Sequence, residues 1–248
     1  MYFSLISPAD GHEREAVQQR LDGGYADHQW LWRWFPAERG TPRDFLFRRH
    51  EGSGLPRFYV VSHRPPGASG DCWQVQTRDY APELAVGERL QFELRANPTV
   101  RHGHDGKSKR HDVVMNAKMK LLAARGLTHW NDWLSDDKPS FDDVAQPACN
   151  EWLARRGEAL GFAPELSTVV VEGHQQYRDK PGHDLRFTTV DMTGQLTVTD
   201  PQAFQKALLG GVGSAKAFGF GVTAGAAAGL SFSESVACLE SWDAHHHA

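Results

Sequence analysis

The sequence predicts an α+β fold in which two tandem ferredoxin-like (RRM-like) domains follow one another along the chain. Each half contains the order strand, helix, strand, strand, which is how a ferredoxin-like unit begins. Gly87 interrupts the pattern between the halves, and the 248 residues of the chain are enough for two domains of roughly 100 residues each. We therefore expect an N-terminal domain at 1–85, a C-terminal domain at 88–222 and an atypical tail at 223–248.

The first half is predicted to contain four strands and one helix. Residues 24–35 form the helix, because Leu31, Trp34 and Phe35 recur at helical spacing and Pro36 cannot continue it. The strands are short apolar, aromatic or alternating runs, and a Gly-Ser-Gly turn joins two of them. They are residues 2–6, 44–48, 57–62 and 73–77.

The second half repeats this order with an additional helix. It begins with strict apolar and polar alternation over 89–98. Asp200 and Pro201 form an N-cap and a first-turn proline, which predict the start of the last helix. Residues 192–195 are expected to form a hairpin turn within the strand segment 185–199. The remaining predicted elements are helices at 113–125, 148–160 and 201–209 and strands at 168–173 and 217–223.

The composition narrows the class of protein. Hydrophobic residues make up 40% and charged residues 23%, which is typical of a globular chain and excludes a disordered or fibrous one. No run approaches the roughly 20 apolar residues of a membrane-spanning helix, and the N-terminus lacks a signal-peptide pattern. Three widely separated cysteines, Cys72, Cys149 and Cys238, fit a reducing compartment, so we expect a cytoplasmic protein.

A basic segment contrasts with the net charge of −4. Residues 101–118 hold five Lys and Arg side chains, two acidic side chains and three histidines. Residues 131–151, in contrast, hold six acidic side chains and one lysine. Because phosphate contact depends on the local field rather than on the total charge, the basic segment can bind a polyanion. A solvated loop is the alternative interpretation of such a charge run.

The densest motif is the glycine-rich stretch 210–221. It contains no Walker sequence, and Lys216 stands where a dinucleotide-binding fingerprint requires its third glycine. Its backbone N–H groups and its lysine can hold a phosphate, while a tight return from helix to strand is the alternative interpretation.

The same stretch resembles the glycine-rich loop of the CRISPR repeat-processing endoribonucleases. Further segments resemble the CasE branch of that family, which belongs to type I-E Cascade, and they keep the family's order from residue 1 to about 222. They are Met1-Tyr-Phe-Ser4, Tyr25-Ala-Asp-His28 with the following Gln-Trp-Leu-Trp, Phe35-Pro36, Arg43-Asp-Phe-Leu-Phe47 and Leu94-Arg-Ala-Asn-Pro-Thr99. The family closes with an apolar strand directly after the loop, whereas here Val222 and Thr223 run into the atypical tail.

This resemblance implies a metal-independent endoribonuclease. In such an enzyme a ribose 2′-OH attacks the adjacent phosphate and leaves a 2′,3′-cyclic phosphate and a 5′-OH, which requires proton transfer and positive charge. Tyr25 and His28 are three residues apart on one face of the predicted helix, so we assign His28 to acid–base chemistry and Tyr25 to positioning it. Arg33 is close enough in sequence to supply charge to the same site.

The resemblance also implies that the basic residues of the second half bind RNA. The family holds a short RNA hairpin, and such stems are recognised by shape and by phosphate contacts. We expect contacts from Arg101, Lys107, Lys109, Arg110, Arg178, Lys180, Arg186, Gly213 and Lys216. The expected partners are CRISPR repeat RNA and the other Cascade subunits, with no membrane and no cofactor.

No metal site is predicted from the sequence. His102, His104 and His111 and the aspartate pairs at 136–137 and 142–143 lack the spacing of a zinc or two-metal centre. Two other functions stay open: a non-catalytic subunit of the same complex that only binds the RNA hairpin, and an unrelated ferredoxin-like enzyme that acts on a small molecule.

Overall fold

Two antiparallel sheets, one from each half of the chain, form the framework of the computed structural model. The structure describes residues 1–20, 24–38, 40–50, 55–67, 70, 72–104, 107–178, 186–213 and 223–227. None of the helices in these ranges has the length and hydrophobicity needed to cross a bilayer.

The first sheet has the strand order of a ferredoxin-like unit. Its half of the chain contains β1 (Tyr2–Pro8), α1 (Glu13–Gln19), α2 (Gly24–Leu31), β2 (Phe45–His50), β3 (Arg57–Ser62) and β4 (Trp73–Asp79). The strands lie in the order β2-β3-β1-β4, and every neighbouring pair is antiparallel. Both helices belong to the connection from β1 to β2, and their buried residues share one core with the sheet.

Aromatic side chains fill the core between α2 and the first sheet. The ring of Trp30 lies 4.6 Å from the ring of Trp73 and 5.8 Å from that of Trp34, measured between centroids. Helix α2 ends at Leu31, four residues before its predicted end, because the next N–H groups bond to the third residue back and tighten the backbone into a turn. Trp34 and Phe35 are nevertheless fully buried, as predicted.

Helix α1 is absent from the sequence-based prediction. Only Ala16 of its seven residues is buried, so no apolar periodicity marks it. The four predicted strands of this half are confirmed to within a few residues at their ends. The predicted turn at 52–54 lies outside the described residues.

The second sheet repeats the strand order of the first. Its half of the chain contains β5 (Arg89–Ala96), β6 (Thr99–His104), β7 (Lys107–Asp112), α3 (Val113–Ala124), a 3₁₀ turn (Trp130–Asp132), α4 (Phe141–Leu160), β8 (Phe162–Pro164), β9 (Val170–Arg178), β10 (Arg186–Val198), α5 (Pro201–Gly210) and β11 (Thr223–Ala227). Strands β11, β5 and β10 lie side by side, and β8 and β9 pair with successive parts of the other edge of β10. The predicted class, α+β with tandem ferredoxin-like domains, is therefore confirmed.

Strand β10 corrects one prediction. Residues 192–195 were expected to turn, but the strand continues through them. Met192 is paired with Leu94 of β5 on one side and with Val171 of β9 on the other, and its side chain is fully buried. All four residues are paired with β5, and Met192 and Thr193 are paired with β9 as well, so the Thr-Gly pair lies inside a strand rather than in a hairpin turn.

Helix α4 begins seven residues before its predicted start. Ser140 accepts a hydrogen bond from the backbone N–H of Asp143, and the Asp143 side chain accepts one from the backbone N–H of Ser140, which completes a capping box. Pro147 lies inside the helix, and this helix-breaking residue explains why the sequence indicates only the later turns.

The predicted last strand, 217–223, falls mostly outside the described residues, and β11 begins at Thr223. Because β11 pairs with β5 at the edge of the second sheet, residues 223–227 belong with that sheet rather than with an unrelated tail. We propose to extend the second domain to residue 227 and to keep the other domain limits as predicted.

The two domains pack against each other through the second face of the first sheet. Phe3, Leu5, Tyr59 and Val61 form an apolar cluster on that face, and Leu209 of α5 packs against it. An ion pair between Arg48 of β2 and Glu93 of β5 also joins the two sheets. The first sheet is therefore covered on both faces, by its own helices and by the second domain.

Candidate active site

His28 lies in the last turn of α2, where its side chain is half-buried. The imidazole faces the edge of Trp32, with 6.3 Å between ring centroids. Burial lowers the pKa of His28 below its usual value, and the positive charge of Arg43 lowers it further. The ring is therefore largely neutral at pH 7, which is the form that can accept a proton.

Arg43 is a functional candidate that the assignment of roles from the sequence did not include. It precedes β2, and its guanidinium lies 5.8 Å from the ring centroid of Phe45. Phe45 in turn contacts Trp32 edge-on, at 5.2 Å, so the arginine and His28 border the same aromatic cluster. Burial lowers the pKa of Arg43 to about 10, which still leaves it charged at pH 7.

A second arginine fixes this arrangement. Arg64 donates to the carboxylate of Asp44 at 2.6 Å and to the backbone carbonyls of Phe35 and Pro36 at 2.9 and 2.8 Å. Its guanidinium also lies over the ring of Phe35, 5.7 Å from the centroid. These contacts hold the turn after α2 against the start of β2, which keeps the segment that carries Arg43 beside the helix that carries His28.

The N-terminal part of α2 is held by a buried carboxylate. Asp27 is 1% exposed and accepts hydrogen bonds from Arg20 at 3.1 Å and from Arg49 of β2 at 3.0 Å. Arg20 is also buried and lies over the ring of Trp30, 5.0 Å from its centroid. Burial raises the pKa of Asp27, and the hydrogen bonds and charges of Arg49 and Arg20 oppose this rise without cancelling it.

Tyr25 and Arg33 are the other two predicted catalytic residues. Tyr25 lies in α2 three residues before His28, as expected, and its side chain falls outside what the structure describes. Arg33 is exposed in the turn that follows α2. Arg33 was predicted from its closeness in sequence to His28, and it lies two residues beyond the end of the helix at Leu31.

Strands β6 and β7 turn the basic segment into a two-stranded ribbon. Arg101 is paired with Arg110 in the register, and both side chains are exposed. His102 contacts the ring of His111 at 5.2 Å and hydrogen-bonds to the side chain of Asn116 at 3.0 Å. Two like charges directly opposite each other on a ribbon repel, and a bound anion would relieve this repulsion. Lys107 and Lys109 lie in β7, and their side chains are outside the described part of the structure.

The remaining predicted RNA contacts are only partly described. Arg178 and Arg186 are register partners at the ends of β9 and β10, and their side chains are not described. Lys180 and Lys216 lie outside the described residues. Gly213 has a φ of +92°, a backbone conformation that favours glycine, and a Cβ on it would make a tight contact of 3.2 Å with the ring of Trp152.

Among the residues that the structure describes, no group of three or more His, Cys, Asp or Glu side chains comes together in a way that could hold a metal ion. Cys72 and Cys149 are buried as free thiols, and burial together with the charge of Asp112 raises the pKa of Cys149 to about 12. Neither the histidine pair of the ribbon nor these thiols therefore forms a ligand set.

Fold and site together define a tandem ferredoxin-like protein with a histidine centre in the first domain and a cationic ribbon in the second. The chain belongs to the CRISPR associated protein family, whose model matches residues 1–223. Cascade subunit CasE of Escherichia coli strain K12 is 29% identical over 226 residues, which cover 90% of this chain and 97% of CasE.

Solved structures agree with this family. Thermus thermophilus Cse3, bound to an RNA that represents a pre-cleavage complex, matches with a TM-score of 0.64 and 25% identity over 91% of this chain and 98% of Cse3. Cas6e from Escherichia coli K-12 matches with a TM-score of 0.57 and 23% identity over 92% of this chain and its own full length, which supports the fold.

The buried carboxylate predicts a large loss of stability on substitution. Asp27→Asn keeps the size of the side chain but removes the buried negative charge that pairs with Arg20 and Arg49, so we expect a loss of about 3–5 kcal/mol in the free energy of unfolding. Chemical denaturation measures this change. Glu151→Gln, which breaks an exposed ion pair with Arg155 on α4, is the matched control and should cost less than about 1 kcal/mol. Equal losses in the two variants would contradict the structural role of Asp27.

Proposed function

We propose that this protein is an endoribonuclease that cleaves CRISPR repeat hairpin RNA and keeps the processed RNA bound as a subunit of Cascade. The names of its relatives support this proposal, since CasE is a Cascade subunit and Cse3 was solved with a pre-cleavage RNA. The observation that carries it is the half-buried imidazole of His28, which borders the same aromatic cluster as the guanidinium of Arg43. We also place the protein in the cytoplasm, where its buried thiols would stay reduced.

The proposed reaction needs no metal ion. His28 accepts the proton of a ribose 2′-OH, the 2′-oxygen attacks the adjacent phosphorus, and the bond from phosphorus to the 5′-oxygen breaks. The leaving 5′-oxygen takes a proton from solvent water, and the imidazolium of His28 returns its proton to solvent, which gives a 5′-OH and a 2′,3′-cyclic phosphate. Tyr25, one turn before His28, positions the imidazole or the ribose, and the exposed Arg33 contributes charge at the rim of the site.

The second domain supplies the RNA-binding surface in this proposal. Arg101 and Arg110 contact the phosphates of the stem, together with Lys107 and Lys109 on the same ribbon. Arg178 and Arg186 end two neighbouring strands and would contact the stem from a second hairpin, with Lys180 between them. Gly213 and Lys216 would hold a phosphate at the glycine-rich stretch.

Replacing the imidazole separates catalysis from binding. In His28→Ala we expect cleavage of a repeat hairpin to stop while the RNA stays tightly bound, because the imidazole transfers a proton and the ribbon provides the affinity. A gel assay in EDTA, with analysis of the end groups, measures both. Wild-type protein that binds the hairpin without cutting it would favour a non-catalytic subunit, and cleavage that depends on magnesium would contradict the mechanism.

The pH dependence follows from the lowered pKa of His28. A base must be unprotonated, so the single-turnover rate should rise with pH and level off above an inflection that lies below the usual value of 6.5. Rates measured between about pH 5 and 8 give this inflection, since these values span the ordinary range of imidazole titration. A rate that falls through the same range would instead make His28 the acid for the leaving oxygen.

Neutralising the ribbon should weaken binding in a salt-dependent way. Each lost phosphate contact reduces the slope of log affinity against log salt by about 0.7–0.9, so Arg101→Ala with Arg110→Ala should reduce it by roughly 1.5. Filter binding with a 2′-deoxy hairpin at several salt concentrations measures this slope. The double variant Arg89→Ala with Arg155→Ala removes the same charge from other exposed positions and should leave the slope unchanged.

A further inference from the structure

We propose that Arg43 is a catalytic residue that contacts the scissile phosphate and stabilises the negative charge that develops on it. This inference rests on the proposed function and adds a residue whose role the sequence left unassigned. When a 2′-OH attacks the phosphate, negative charge builds up on the non-bridging oxygens. A cation close to the base must offset this charge.

An aromatic cluster connects Arg43 to His28. The two residues border one aromatic cluster, in which Trp32 contacts both the imidazole and the ring of Phe45, and the guanidinium lies over Phe45. A guanidinium against an aromatic face has its orientation restricted, so less conformational entropy is lost when it binds a phosphate.

The position of Arg43 is also rigid with respect to the histidine. The clamp formed by Arg64, Asp44 and the carbonyls of Phe35 and Pro36 joins the residue after Arg43 to the turn that ends α2. A catalytic cation needs such support, because a shift of about 1 Å can cost about 100-fold in rate.

Burial makes Arg43 a stronger candidate than Arg33 for this role. Electrostatic interactions grow as water is excluded, and a half-buried guanidinium acts on a phosphate with less screening than an exposed one. Arg33 is exposed, whereas desolvation is strong enough at Arg43 to lower its pKa to about 10. The charge of Arg43 already acts on His28, so a phosphate between the two would feel both groups.

The proposal has a kinetic test with a matched control. Arg43→Ala should lower the single-turnover cleavage rate by about 100-fold, the effect of removing one preorganised donor to a developing oxyanion, and should change the affinity for a 2′-deoxy hairpin by less than about 3-fold. Arg43→Lys keeps the charge without the planar fork and should cleave at an intermediate rate. Arg155→Ala removes an exposed arginine on α4 and should cleave like the wild type.

Two further readouts separate phosphate contact from a structural role. A phosphorothioate at the scissile position should slow the wild type more than Arg43→Ala, because the contact that sulfur weakens is already missing in the variant. The inflection of the pH–rate profile should move to higher pH in Arg43→Ala, since the cation that lowers the pKa of His28 is gone.

Several outcomes would overturn the inference. They are cleavage by Arg43→Ala within 3-fold of the wild type, an equal phosphorothioate effect in both proteins, or a lost rate that accompanies a lower unfolding midpoint in both Arg43 variants. A wild-type protein that does not cut the hairpin would instead refute the proposed function itself, and this result is distinguishable because it precedes any comparison of variants.

Discussion

The placement of α2 depends on the buried carboxylate of Asp27. An eight-residue helix has little stability of its own in water, so tertiary contacts must define its position. The buried carboxylate of Asp27 provides these contacts. It accepts hydrogen bonds from Arg20, which follows α1, and from Arg49 of β2. The next residue is His28, so the ion triad fixes the helix backbone directly before the proposed base.

The arginines of the first domain have two different roles. Arg20, Arg49 and Arg64 are held by Asp27, Asp44 and backbone carbonyls, and they fix the backbone around the site. Arg43 lies over the ring of Phe45, and its positive charge contributes to the lowered pKa of His28. The net charge of −4 does not distinguish these two roles, because some of the acidic residues counted in it are carboxylates that pair with structural arginines.

The sequence predicted the fold best where a local pattern of side chains is typical of a single kind of element. The alternation over 89–98, the Asp200 cap and the buried Trp34 are all found in the structure, since each depends on local spacing or on capping. The turn predicted at 192–195 was wrong, because a Thr-Gly pair occurs both in turns and inside strands that are paired with their neighbours. Arg43 was missed because its proximity to His28 is created by the Arg64 clamp, which joins residues about 30 positions apart in sequence.

The contact between the domains links binding to chemistry in the proposed enzyme. The cationic ribbon lies in the second domain and the histidine in the first, so RNA bound by one places its phosphate at the other only if the two sheets keep a fixed relation. Leu209 against the second face of the first sheet and the ion pair between Arg48 and Glu93 provide that relation. Binding energy gained on the ribbon can then be used to hold a ribose at the site, which is how a bound stem would be cut at one position rather than along its length.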